Sequence, residues 1–153
     1  MQARAGQLIV ERLAAGDVVA FAQCAALDAT VFPHPSIPPL EAAPAIFVAR
    51  GEPGGAVSGF IVATRRGPLF EIRGLAVAPA LRRRGAGRSL LRAAVEAARA
   101  GRFLAVFLQV STENRAALAL YDAEGFRRVR HLRGYYSRQG EGGDAWAMML
   151  PLR

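Results

Sequence analysis

Lysine is missing from this chain: all twenty basic residues are arginine, and Asn114 is the only asparagine. The joint avoidance marks a coding bias toward arginine and alanine, so the number of arginines alone assigns no partner. Cys24 is the only cysteine, which excludes an internal disulfide and points to a reducing compartment. Its surroundings are alanine-rich, as expected for a small buried residue. No run of about 18 apolar residues occurs, and the start, Met-Gln-Ala-Arg-Ala-Gly, carries no apolar stretch of the signal-peptide kind. A soluble, cytoplasmic protein without a membrane partner is expected. Repeats, low-complexity tracts, helix-turn-helix, zinc and aromatic RNA-binding patterns are also missing, which argues against nucleic acid as a partner and against a metal.

What is present is a basic chain with ample material for one core. It has 153 residues, 52% hydrophobic composition and a net charge of +8, which suits a single domain over residues 1–153. The charge attracts polyanions, but four arginines fall within residues 82–88, favouring one anion site over a broad stripe.

That site lies in Leu75 to Leu91. Leu69 to Val77 is apolar and β-prone, Pro79 ends it, and Leu90, Leu91, Ala94, Val95 and Ala98 recur at helical spacing up to Gly101. Between strand and helix stand Arg82, Arg83, Arg84, Gly85, Ala86, Gly87 and Arg88. The first N–H groups of a helix have no intrahelical partner and its dipole places roughly +0.5 charge there, so an anion is the natural occupant. The glycines admit close backbone approach, and the guanidinium groups fork onto phosphate oxygens. A solvated basic loop has the same composition. Neither Gly-Lys-Ser/Thr nor Gly-x-Gly-x-x-Gly occurs here.

Taken in order, Gln7 to Leu13 reads as a strand, and Asp17 as the N-cap of a helix to about Thr30. Phe32 to Pro44 has prolines at 33, 35, 38, 39 and 44, and is a loop with at most one helical turn. His34 within it is read as structural or solvated. Ala45 to Arg50 and Ala56 to Thr64 form a hairpin about Gly51, Pro53, Gly54 and Gly55, and Gly74 marks a bulge or close approach in the next strand. Phe103 to Val110 is a doubly buried strand, Ser111 to Asn114 starts a helix that stops at Gly125, and Phe126 to Leu132 with Ala145 to Leu152 closes the sheet. The strand, helix and strand over 69–110 require a parallel pair in an otherwise antiparallel sheet. The expected fold is mixed α/β (α+β), about seven strands flanked by helices.

The motif Arg82-x-x-Gly85-x-Gly87 resembles the acetyl-coenzyme A signature of the GNAT superfamily of N-acetyltransferases. A second block, Asn114 to Tyr121 followed by Gly125-Phe126, resembles the same family. Gly134-Tyr135-Tyr136 with the tail from Asp144 resembles the narrower RimI-type ribosomal-protein alanine N-acetyltransferases. The resemblance implies acetyl-CoA as cosubstrate, held by Leu75, Ala76 and Val77 along a splayed strand pair, by residues 82–88, and by Asn114 near the thiol. It also implies Tyr121 as the acid for the departing thiolate, and an acceptor groove bordered by Tyr135 and Tyr136 with the proline loop above.

RimI-type enzymes carry a glutamate where Gln109 stands, and glutamine takes no proton at neutral pH. Glu71 lies on the neighbouring strand, where the resemblance to histone-type GNAT acetyltransferases implies a glutamate base, and is the candidate base through a water, although a strand glutamate can equally be held by Arg73 or another arginine. An α-amine, with a pKa of about 7.7 to 8.0, tolerates a weak base better than lysine at about 10.4. The implied acceptor is the N-terminal amine of a protein or peptide. The alternatives are a small-molecule amine, or a non-catalytic CoA-binding module. Either a monomer or a homodimer fits.

Overall fold

The computed structural model describes residues 8–32, 35–38, 44–82, 84–137 and 143–153. In chain order the elements are β1 (Ile9–Arg12), α1 (Val18–Val31), β2 (Ala45–Arg50), β3 (Gly59–Arg66), β4 (Leu69–Val77), a 3-10 turn (Pro79–Leu81), α2 (Ala86–Ala100), β5 (Ala105–Ser111), α3 (Arg115–Ala123), β6 (Arg127–Leu132) and β7 (Ala145–Pro151). The strands form one sheet in the order β1-β2-β3-β4-β5-β7-β6. β4 and β5 are the parallel pair, with Leu69 opposite Ala105, Phe70 opposite Val106 and Glu71 opposite Phe107. That pairing involves the first three residues of β4, as a splayed pair would have it. β1 with β2, β2 with β3, β5 with β7 and β6 with β7 are antiparallel.

By contacts the chain falls into two compact units. The first runs up to Thr64 and adds Ile72–Ala97. Its core gathers Ala20 and Cys24 of α1 with Ile46, Val48, Phe60, Val62 and Ala76 of the strands. Asp17 caps α1 as its sequence suggests, accepting from the Ala20 N–H at 3.0 Å. On α2, Leu90, Leu91 and Ala94 are fully buried, which is the face that the helical spacing selects. The second hairpin strand starts at Gly59 rather than Ala56 because the Val57 N–H is taken by Gln23 of α1 at 3.0 Å.

Beyond α1 the chain turns back on itself. Asp28, 4% exposed, accepts the Ser36 N–H at 3.0 Å through Oδ2 and the Ser36 hydroxyl through Oδ1. Each oxygen of the buried side chain thus has a hydrogen-bond partner, as buried polar groups generally do. Ser36 in turn lies on Gly74 of β4: a Cβ there would fall 2.2 Å from the Ser36 Oγ and 2.7 Å from its Cβ. The sequence suggests a bulge or a close backbone approach at Gly74; what comes close is instead the Ser36 side chain of the proline loop. The described residues of that loop, 32, 35–38 and 44, carry no helix, while His34 lies outside the described residues.

The second unit comprises Arg65–Glu71 and Ala98–Arg153. Phe70 packs its ring 5.0 Å from Phe103, and the Arg65 guanidinium lies 4.5 Å above Phe103. β5 begins at Ala105, two residues later than expected, because Arg102 takes a left-handed φ of 59° and the Phe103 N–H closes the end of α2 on Ala98. α3 ends in a Schellman pair: Gly125 (φ 93°) donates to the Asp122 carbonyl and Phe126 to that of Tyr121. Among the described residues no helix is long and apolar enough to cross a membrane.

Candidate active site

The segment that the sequence suggests as an anion cradle follows the end of β4. Leu75 and Val77 are half-buried and Ala76 points into the core. After the 3-10 turn, Arg82 is extended and its Nε donates to the Val77 carbonyl at 3.2 Å. Gly85 takes φ 77°, a left-handed conformation that a side chain would strain, and the space where a Cβ would stand is open. Its carbonyl accepts the Ser89 N–H at 3.0 Å, so Gly85 is the residue from which α2 starts. Ala86 is buried, Gly87 half-buried, and Arg82, Arg84 and Arg88 are exposed around the turn. Arg83 lies outside the described residues. The first unit thus presents the N-terminus of α2 amid guanidinium groups, with open backbone at Gly85. This arrangement fits a phosphate-bearing ligand by charge and by room.

The other candidates stand in the second unit. Asn114 caps α3, its Oδ1 accepting from Ala117 N at 3.1 Å, and is exposed; its amide nitrogen and the second lone pair of Oδ1 can still serve a ligand. Tyr121 is 7% exposed and packs 5.7 Å from the Phe126 ring. Burial, with a smaller contribution from Tyr136, pushes its phenol up to about 12. The Tyr135 and Tyr136 rings meet edge to face at 5.0 Å. Their turn is pinned by Asp144, which accepts the Gly134 N–H at 2.9 Å and pairs with His131 at 3.0 Å. The Gly134 N–H, followed by His131 and Arg133, holds the Asp144 carboxyl below the usual range.

Glu71 is buried, and its Oε1 pairs with Arg66 at 3.5 Å. The partner is thus Arg66 and not Arg73. The sequence signal for this was Arg66-Gly67-Pro68: two residues between β3 and β4 make a hairpin, with Gly67 at φ 58°, that returns Arg66 beside β4. Arg66 also lies 5.8 Å over Phe107. Since paired residues share a face and alternate residues repeat it, Glu71, Phe107 and Gln109 lie on one face of these strands. The same unit therefore places the carboxylate and the glutamine on a common floor. Among the described residues no group of three or more His, Cys, Asp or Glu side chains could hold a metal ion.

The sheet is mixed, with β4 and β5 parallel, a basic glycine turn opens the crossover helix and a buried tyrosine stands on the next helix, which makes this an α/β protein. The profile of the acetyltransferase (GNAT) family matches residues 27–126, and the chain belongs to that family. It is 41% identical over 99 residues to N-alpha-acetyltransferase RimI of Mycobacterium tuberculosis, a match covering 62% of this chain and 60% of that protein. It is 37% identical over 84 residues to the ribosomal protein bS18-alanine N-acetyltransferase of Salmonella typhimurium, covering 55% of each. The chain therefore spans little more than half the length of these relatives. The fold is similar to that in the crystal structure of the NatC complex bound to Gag peptide and CoA, with a TM-score of 0.80 at 24% identity over 96% of this chain and 99% of that one.

Proposed function

We propose that this protein is an acetyl-CoA-dependent N-acetyltransferase whose 153 residues act as one catalytic domain and whose acceptor is the N-terminal amine of a protein or peptide. The observation that carries the proposal is the Gly85 turn, with its left-handed φ and surrounding arginines, at the start of α2 in a chain of this family. The names of the two relatives support the α-amine as acceptor. Acetyl-CoA supplies the activated acetyl thioester. Arg82, Arg84 and Arg88 with the first N–H groups of α2 would hold its phosphates, and main-chain groups of Leu75 to Val77 its pantetheine arm.

Glu71 then takes the amine proton through a water, Gln109 and the tyrosine pair orient the acceptor, and Tyr121 faces the departing sulfur. The phenol at about 12 stays protonated at neutral pH. Complete transfer to a thiolate of pKa about 8.5 is uphill by roughly 5 kcal/mol, so Tyr121 acts as a hydrogen-bond donor to the developing charge. A second reading is favoured by Gln109 and by the Arg66 pairing of Glu71: a CoA-binding module without a working base.

The test is thiol release from acetyl-CoA with short peptides, free amino acids, polyamines and aminoglycosides as acceptors. Turnover of the peptides is expected. Turnover of small amines alone removes the peptide acceptor, and cofactor binding without thiol release on any acceptor selects the non-catalytic reading.

A further inference from the structure

Sheet register in the second unit orders its side chains into transverse rows. Glu71 is opposite Phe107, Phe107 opposite Met149, and Met149 opposite Arg127. One step along, Gln109 is opposite Ala147 and Ala147 opposite Arg130, the register having shifted between Arg128 and Arg130. Partners across a ladder share a face, so both rows lie on the Glu71 face.

The helical segments of this unit serve the other face. Phe70 and Val106 are on that side, where Phe70 meets Phe103 beyond α2. Arg128, paired with Met148 on the same side, reaches Asp122 of α3 at 3.1 Å. On the Glu71 face Phe107, Gln109 and Met149 are half-buried, Ala147 is small, and Arg127 and Arg130 are exposed on the last strand of the sheet.

We infer that this face selects acceptors whose N-terminal amine is followed by acidic side chains, which Arg127 and Arg130 receive. The inference rests on the peptide reading above and names its substrate class. Three strand spacings of about 4.8 Å put the backbone at Arg127 roughly 14 Å from that at Glu71, a span an extended chain covers in about four residues. An amine near Glu71 therefore brings side chains near the third to fifth positions to the arginines. Charge runs the same way along the row: the Glu71 carboxylate already carries Arg66, whose guanidinium lies over Phe107. Beyond the amine the face therefore offers guanidinium groups, Arg66 and then Arg127 and Arg130, which complement a chain that is negative just after its end. Arg128 and His131 are already held by Asp122 and Asp144, whereas Arg127 and Arg130 have no ion-pair partner among the described residues.

Charges on an edge strand also deter edge-to-edge pairing, a role indifferent to acceptor sequence. Matched peptides with an N-terminal Ala and either Glu or Lys at positions three to five separate the two. The acidic peptides are expected to have kcat/KM higher by roughly tenfold at low salt, about what two solvent-facing ion pairs supply. The preference should shrink as salt rises. The double variant Arg127→Glu/Arg130→Glu should reverse the order with acetyl-CoA affinity at 1 M salt unchanged, and Arg127→Lys/Arg130→Lys should keep it. Equal kcat/KM for the two peptides, or an order that survives the reversal variant, overturns the inference. If no peptide is turned over, the same peptides are titrated by fluorescence anisotropy into the CoA-saturated protein. Acid-selective binding lost in the reversal variant then upholds the surface and discards the catalytic reading, while binding blind to peptide charge discards the surface.

Discussion

In Tyr121 packing and the proposed chemistry fall on one side chain. Its ring fills the junction with Phe126, and its hydroxyl is shielded enough to raise the phenol to about 12. An unfolded tyrosine titrates near 10, so the raised folded value contributes stability that is intact below pH 10 and lost as pH climbs from about 10 to 12. The loss amounts to about 2 to 3 kcal/mol. Urea midpoints measured across that range should fall more steeply for the native protein than for Tyr121→Phe; equal slopes would mean the phenol is not shielded. At pH 7 the same substitution should cost roughly 10²-fold in kcat by removing the donor to sulfur, with acetyl-CoA affinity retained. Glu71 makes a different prediction. If it is the base, Glu71→Gln lowers kcat by roughly 10² to 10⁴-fold, and Gln109→Glu on the shared face restores part of it. Full activity of Glu71→Gln from pH 6 to 9 would make Glu71 a partner of Arg66 and nothing more.

At the scale of elements, the sequence exposes whatever repeats locally. The face of α2 was legible because Leu90, Leu91 and Ala94 recur at helical spacing. β4 and both helix caps were legible because Pro79, Asp17 and Asn114 are local signals. Contacts between distant segments were not legible: nothing in the proline loop announces that Ser36 returns to Asp28 and then rests on a glycine 38 positions on. The Arg66 partner of Glu71 is different: the Gly67-Pro68 turn signals it locally, although which arginine reaches the carboxylate follows from the hairpin. The Gly85 turn that opens α2 was readable as a motif, whereas the face beside Glu71 depends on register. The loop contact makes its own prediction. Gly74→Ala should destabilise by about 1 to 3 kcal/mol, because Asp28 holds the Ser36 side chain in the path of the new methyl. In a Ser36→Gly background the methyl has room, so the same change should cost much less in a double-mutant cycle read by urea unfolding. Additive costs would show that the loop is not seated on Gly74.

At the scale of the whole molecule, the net charge of +8 raises the local concentration of any anion, and a phosphate-bearing cosubstrate gains from it without any specific site. General field and built cradle are separable by salt. Raising ionic strength from 0.1 to 1 M shortens the Debye length from about 10 to about 3 Å, which silences distant charges while contact pairs persist in part. Acetyl-CoA affinity, followed by calorimetry, should therefore fall several-fold over that range. Arg82→Ala and Arg153→Ala each lower the net charge by one; Arg82 borders the Gly85 turn, whereas Arg153 is the exposed last residue of the chain. If the cradle binds the phosphates, Arg82→Ala weakens affinity at both salt concentrations, because a contact charge is lost. Arg153→Ala weakens it slightly at low salt and not at high. Equal losses in the two variants, vanishing together at 1 M, would reduce the arginine turn to a contributor to the general field and remove the observation on which the proposed activity stands.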